Sequence, residues 1–129
     1  MIEVYTELSE DTLKNLLVTS PSGVIVLKFT ATWCKPCQRI AQLVCNHFRN
    51  MPDNVTAFEL DIDDECNKPL YSFLKKKRMV AGVPAILVFC GNIKRDHWFI
   101  PDIIVNNSNV NDINRLFSCV KEAANKINV

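Results

Sequence analysis

The chain has 129 residues, 48% hydrophobic and 22% charged, with 15 Lys and Arg against 14 Asp and Glu for a formal charge of +1. That length supports one core rather than two, and the near-neutral balance excludes a disordered chain and a surface built to coat nucleic acid. Six cysteines stand beside only three glycines, but a disulfide-stapled secreted scaffold compensates for too small a core, and a chain of this size and hydrophobicity builds its own.

In chain order, Ile2 to Thr6 reads as a short strand. Ser9 then caps a helix with acids Glu10 and Asp11 in its first turn and Leu13, Leu16 and Leu17 on its apolar face. Ser20-Pro21-Ser22-Gly23 breaks it. Val24 to Thr30 is a continuous apolar and β-branched run, as in a strand buried on both faces, with Lys28 its one anomaly. Ile40, Leu43, Val44, His47 and Phe48 recur at helical spacing until Asn50, and Met51 to Asn54 supplies a stop.

Val55 to Ile62 alternates as a strand, and Leu70, Phe73 and Leu74 mark a helix from about Pro69 into the basic run Lys75 to Arg78. Those charges suit a helix carboxyl end, and one such run is weak evidence for nucleic acid, so none is expected as a partner. Ala85 to Cys90 is strand-like, Gly91-Asn92 a turn, and Ile93 to Ile100 the expected antiparallel return. Asn109 or Asn111 caps a last helix through Ile113, Leu116, Phe117 and Val120. No repeat or linker divides the chain, so residues 1–129 are expected to form a single α/β domain with a mixed sheet and helices on both faces.

Residues Met1 to Asn15 show no basic start, apolar run or cleavage site of a signal peptide. The longest apolar stretches, Gly23 to Leu27 and Val83 to Cys90, fall far short of the ~20 residues a membrane helix needs. A cytoplasmic, reducing setting without membrane association is therefore expected, where a close cysteine pair is catalytic or metal-binding.

Cys34-Lys35-Pro36-Cys37 is that pair, between a buried strand and a helix. A cysteine at a helix amino terminus faces unpaired N–H groups and the positive end of the dipole, which stabilises its thiolate. The spacing lets Cys37 reach a mixed disulfide on Cys34 and resolve it, while Pro36 is tolerated in the first helical turn. A zinc knuckle would need two further close ligands, and Cys45, Cys66, Cys90, Cys119, His47 and His97 are scattered singly, so no metal is expected.

With Phe29, Ala31, Trp33-Cys34-Lys35-Pro36-Cys37, Gly82-Val83-Pro84 and the strand Ala85 to Phe89 before Gly91, the sequence resembles the thioredoxin family over nearly its whole length. The resemblance implies the thioredoxin fold, a central mixed sheet of about five strands flanked by four helices. It makes Cys34 the nucleophile, Cys37 the resolving cysteine and Trp33 a wall beside the disulfide. Pro84 becomes a cis-proline that offers the backbone of Val83 to an extended substrate. The implied activity is a monomeric, cofactor-free protein-disulfide reductase in cell redox homeostasis and electron transport, recharged by a thioredoxin-reductase-like or other dithiol donor. A more oxidising thiol oxidase or isomerase, and a thioredoxin-fold subunit of a larger assembly, are the alternatives.

Lys28 stands six residues before Cys34, where thioredoxins resemble one another in carrying a buried aspartate. A cationic Lys28, helped by Lys35, would stabilise the thiolates and raise the reduction potential, and a desolvated Lys28 would act as a neutral base. Otherwise the lysine bends to the surface or to an acid such as Asp61. Phe99 to Val105 is bulky where the family has a glycine-bearing loop at the substrate groove, and Ile103, Ile104 and Val105 there form either a binding lip or, on the usual fate of apolar clusters, a core segment. Cys45, Cys90 and Cys119 are expected as buried small hydrophobes, and Cys66 as an exposed thiol suited to a regulatory disulfide.

Overall fold

The computed structural model describes residues 2–19, 23–91 and 93–127. The predicted break at Ser20 to Ser22 and the Asn92 half of the predicted turn lie outside the described residues. In chain order the elements are β1 (Val4–Tyr5), α1 (Glu10–Thr19), β2 (Val24–Thr30), α2 (Lys35–Arg49), β3 (Val55–Asp61), α3 (Lys68–Lys76), β4 (Ala85–Cys90), β5 (Ile103–Val105) and α4 (Val110–Ile127). They form a five-stranded mixed sheet in the order β1-β3-β2-β4-β5. The β1/β3 and β2/β3 pairs run parallel, and β2/β4 and β4/β5 run antiparallel.

Alternation along the strands divides the interior into two cores. Val24 and Val26 of β2 pack with Ile40, Val44 and Phe48 of α2 and with Phe117 and Val120 of α4. Ile25, Leu27 and Phe29 point the other way, toward Leu13 of α1 and Leu70 and Leu74 of α3. Each of these fully buried side chains is worth roughly 1.5–3 kcal/mol relative to exposure. The same two-residue period carries Lys28 to the face of Val24 and Val26, against α2.

Capping follows the sequence. Ser9 Oγ accepts the Thr12 N–H at 3.2 Å at the start of α1, and of the two asparagines before α4, Asn109 accepts the Asp112 N–H at 3.0 Å. Asn67, fully buried, accepts the Leu8 N–H at 3.0 Å and donates to the carbonyls of Thr6 and Asp61, tying the segment after β1 to the segment after β3. Beyond α3, Arg78 has φ 63°, and the Met79 N–H reaches back to the Leu74 carbonyl at 2.9 Å, the 6→1 bond of a left-handed helix stop.

The fifth strand departs from the sequence reading. Ile93 to Ile100 does not return as the partner of β4; Ile103–Val105 does, with Ile103 opposite Val88 and Val105 opposite Ile86. Arg95, Trp98 and Phe99 fold inward instead of forming a ladder. The Arg95 guanidinium donates to the Cys90 carbonyl at 2.8 Å and pairs with Asp102, whose carboxylate also accepts the Cys90 N–H. Trp98 stacks on Phe73 at 5.5 Å between centroids, and Phe99 meets the same ring edge-on. Of the three apolar residues that follow, Val105 joins the α2/α4 core and Ile104 is 44% exposed, so the segment is an edge strand with one buried face.

Candidate active site

Cys34 and Cys37 are joined as a disulfide, their Cα atoms 5.2 Å apart. Cys34 has extended backbone and is the N-cap of α2, with Pro36 in the first turn. Its Sγ accepts the Cys37 N–H at 3.2 Å and its carbonyl accepts the Gln38 N–H at 3.1 Å. One otherwise orphaned donor of the helix start is thus spent on the Cys34 sulfur, a position where a thiolate would be favoured. Both cysteines are buried, while Lys35 between them faces solvent.

The segment before β4 forms the other wall. The Val83–Pro84 peptide is cis, and the Val83 carbonyl oxygen lies 3.8 Å from Cys34 Sγ. Val83 packs against the small cluster of Ala31, Cys34 and Cys37. Trp33 is 63% exposed, and its indole N–H donates to the Asp63 carboxylate at 2.7 Å, which pins the ring at the surface beside the cysteines.

Beneath Cys37 the chemistry is ionic. Lys28 and Glu59 are register partners in the parallel β2/β3 pair, both on the α2 side. The Lys28 ammonium, 1% exposed, donates to Glu59 Oε1 at 2.7 Å, and the Glu59 side chain is 45% exposed. The lysine does bend to an acid, but the acid is its cross-strand neighbour Glu59, not the predicted Asp61. An open cleft of about 230 Å³, lined by Lys28, Thr30, Cys37, Gln38, Glu59 and Asp61 among others, joins the ion pair to Cys37.

Pattern reasoning missed Glu59, Asp63 and Asn106. Glu59 was legible only as a polar position in an alternating strand. Asn106 was hidden by placing the fifth strand too early; the loop that follows β5 begins with it, and its side chain bonds the backbone of Ala81, Gly82 and Pro84. The remaining cysteines divide differently from expectation: Cys90 is buried, whereas Cys45 and Cys119 are exposed, because each falls on the outer face of its helix. Cys66 is exposed as expected, and the carboxylate of Glu7, assisted by slight desolvation and by Asp64, pushes its thiol pKa up. His47 stacks on Phe117 at 4.5 Å and hydrogen-bonds Asn114, and so serves packing.

Comparison with known proteins agrees with this geometry. The family model described as thioredoxin matches residues 4–98. Thioredoxin 3 of Plasmodium falciparum is 27% identical over 93% of this chain and 62% of its own length. Thioredoxin M2, chloroplastic, of Arabidopsis thaliana is 29% identical over 67% of this chain and 43% of its own length. The chain thus spans only about half the length of the curated relatives it matches. Among solved structures, oxidised thioredoxin O1 from Arabidopsis thaliana superimposes with a TM-score of 0.68 at 24% identity, covering 93% of this chain and 99% of that one.

Proposed function

The chain belongs to the thioredoxin family, and from that premise we propose that it is a thiol-disulfide oxidoreductase reducing protein disulfides through a Cys34/Cys37 cycle. The observation that carries the reading is the placement of Cys34: N-cap of α2, bonded by the Cys37 N–H, and facing the Val83 carbonyl across the groove.

In the reduced protein the Cys34 thiolate attacks one sulfur of the substrate disulfide, forming a mixed disulfide and expelling the other substrate sulfur as a thiolate that takes up a proton. Cys37 then loses its proton and attacks Cys34 Sγ. This closes the Cys34–Cys37 bond and releases the second substrate thiol. Two electrons pass from the protein dithiol to the substrate, and a dithiol donor of the thioredoxin-reductase kind returns them. Sulfur carries both electrons, so the proposed cycle calls for no cofactor or metal, and one chain supplies the whole site, so it runs in a monomer. Trp33 and Pro36 hold the rim and the helix start, while Val83 and Pro84 form the docking edge.

Lys28 and Lys35 enter this reading in a modest role. An isolated buried cation would favour the reduced thiolates and an oxidising potential, but Lys28 shares its charge with Glu59, so Cys37 faces a dipole. Lys35 is exposed and screened by water and salt. That favours the reductase over the oxidase or isomerase. Among the described residues no helix is long and apolar enough to cross a membrane, and the cycle requires a compartment kept reducing, as the cytoplasm is.

Insulin reduction with dithiothreitol as electron source tests the proposal. Wild type is expected to turn over, and Cys34→Ser and Cys37→Ser to lose turnover. Equal rates in all three proteins would overturn it.

A further inference from the structure

The side chain of Asn106 makes three hydrogen bonds, all of them to the segment that faces Cys34. Its Oδ1 accepts the Ala81 N–H at 2.6 Å, and its Nδ2 donates to the carbonyls of Gly82 at 3.1 Å and Pro84 at 2.9 Å. An exchanged amide would set a donor against the Ala81 N–H and an acceptor against both carbonyls, failing at all three contacts, so the orientation is fixed. Asn106 directly follows Val105, which is paired with Ile86 in β4. The brace is therefore anchored to the sheet that carries the segment.

The consequence lies at Val83, which the brace spans without touching. Groups before and after it are taken: the Ala81 N–H, the Gly82 carbonyl and the Pro84 carbonyl are held by Asn106, and Pro84 has no N–H. Among the described residues the Val83 N–H donates to no protein group, and the Val83 carbonyl faces Cys34 Sγ. A residue with both backbone groups open forms the doubly hydrogen-bonded pair of antiparallel strands. Such a pair would hold an incoming extended peptide beside the disulfide, in strand addition.

We infer that Asn106 is a positioning residue that fixes the backbone of residues 81–84 so that Val83 alone presents its N–H and C=O to an extended segment of a protein substrate. The inference rests on the protein-disulfide reading above. Asn106 touches no reacting sulfur and acts through Val83, so its loss should weaken docking of a peptide and leave the chemistry of the cysteines unchanged. A small aromatic disulfide needs no strand pairing and is the internal control.

The test compares wild type, Asn106→Ala and Asn106→Asp on insulin, with dithiothreitol as electron source, and on 5,5′-dithiobis(2-nitrobenzoate), mixed in a single turnover with pre-reduced protein freed of dithiothreitol. Asn106→Ala removes all three bonds, whereas Asn106→Asp keeps the acceptor for Ala81 and sets a carboxylate against two carbonyls. Expected is a rise in KM for insulin of about tenfold in both variants, the size of one or two lost hydrogen bonds. The insulin kcat and the rate on the small disulfide should stay within about twofold. Faster amide exchange at Ala81 should accompany the change in Asn106→Ala, which alone loses the acceptor. An unchanged KM in both variants, or a parallel fall on both substrates, would overturn the inference. A wild-type protein inert toward insulin would overturn the functional reading itself and this inference with it, and that failure is seen before any variant is made.

Discussion

The two sulfurs of the site sit in contrasting surroundings. Cys34 is set by backbone: a helix N-terminus, the Cys37 N–H and the Val83 carbonyl, with Asn106 holding the facing segment from behind. Cys37 lies over a cleft whose floor is an ion pair, Lys28 with Glu59. The contrast separates two tasks. Fixed dipoles suit a sulfur that must be a ready thiolate, since they cost no ion desolvation. In the proposed cycle resolution requires a proton to leave Cys37, and there the chain places a buried ammonium paired with a half-exposed carboxylate.

Breaking the ionic side should have the largest effect. Glu59→Gln leaves the Lys28 ammonium buried without its counter-charge and should lower the unfolding free energy by about 2 kcal/mol, the loss being moderated because Glu59 itself is partly exposed. Combining it with Lys28→Met should recover most of that loss, as urea unfolding will show; a double variant no more stable than Glu59→Gln would mean that the pair is not what holds Lys28. The reduction potential sharpens the same point. Glu59→Gln leaves a lone cation near Cys37, which favours its thiolate and raises the potential. Lys28→Met leaves a lone carboxylate and lowers it. The two shifts should cancel in the double variant to within about 30 mV, a tenfold change in the equilibrium constant. Shifts of the same sign in both single variants would refute the dipole account.

Cys66 offers the inverse of Cys34, an exposed thiol among carboxylates. The Glu7 charge and, to a smaller degree, slight desolvation and Asp64 hold its pKa above the ordinary thiol value, so less thiolate is present at about pH 8. Glu7→Gln should bring the pKa down and speed iodoacetamide labelling of Cys66, and added salt should narrow the gap between the two proteins. Identical labelling rates at low salt would show that Glu7 does not act on the thiol. That environment also argues against Cys66 as a regulatory thiol, because attack on a disulfide requires the thiolate. The smallest effect is expected far from both sulfurs, where Arg78→Gly relieves a left-handed backbone and should stabilise the fold by roughly 0.5–1 kcal/mol with no change in potential.

Most of the fold was legible because its elements announce themselves locally. The buried run of β2, the Ser9 and Asn109 caps and the periodic faces of α2 and α4 need no long-range information. The fifth strand was not, since the apolar residues of 93–100 satisfy a strand pattern equally well. What decides between them is the Arg95 to Asp102 pair and the stacking of Trp98 on Phe73, both set by tertiary contact. The site divides the same way. The cysteines declare themselves by spacing and Pro84 by the family resemblance, and Lys28 stood out as a charge in a buried strand. Its partner depended on the β2/β3 register, and Asn106 on the true position of β5, neither of which one strand's sequence contains.

The central claim is that Cys34, and no other cysteine, is the sulfur that meets a substrate. It is tested most directly by treating the Cys37→Ser protein with a peptide disulfide and mapping the trapped adduct by mass spectrometry. The account predicts a mixed disulfide on Cys34 that persists because no resolving thiol follows it. Adducts confined to the exposed Cys45, Cys66 or Cys119, with Cys34 unmodified, would contradict it.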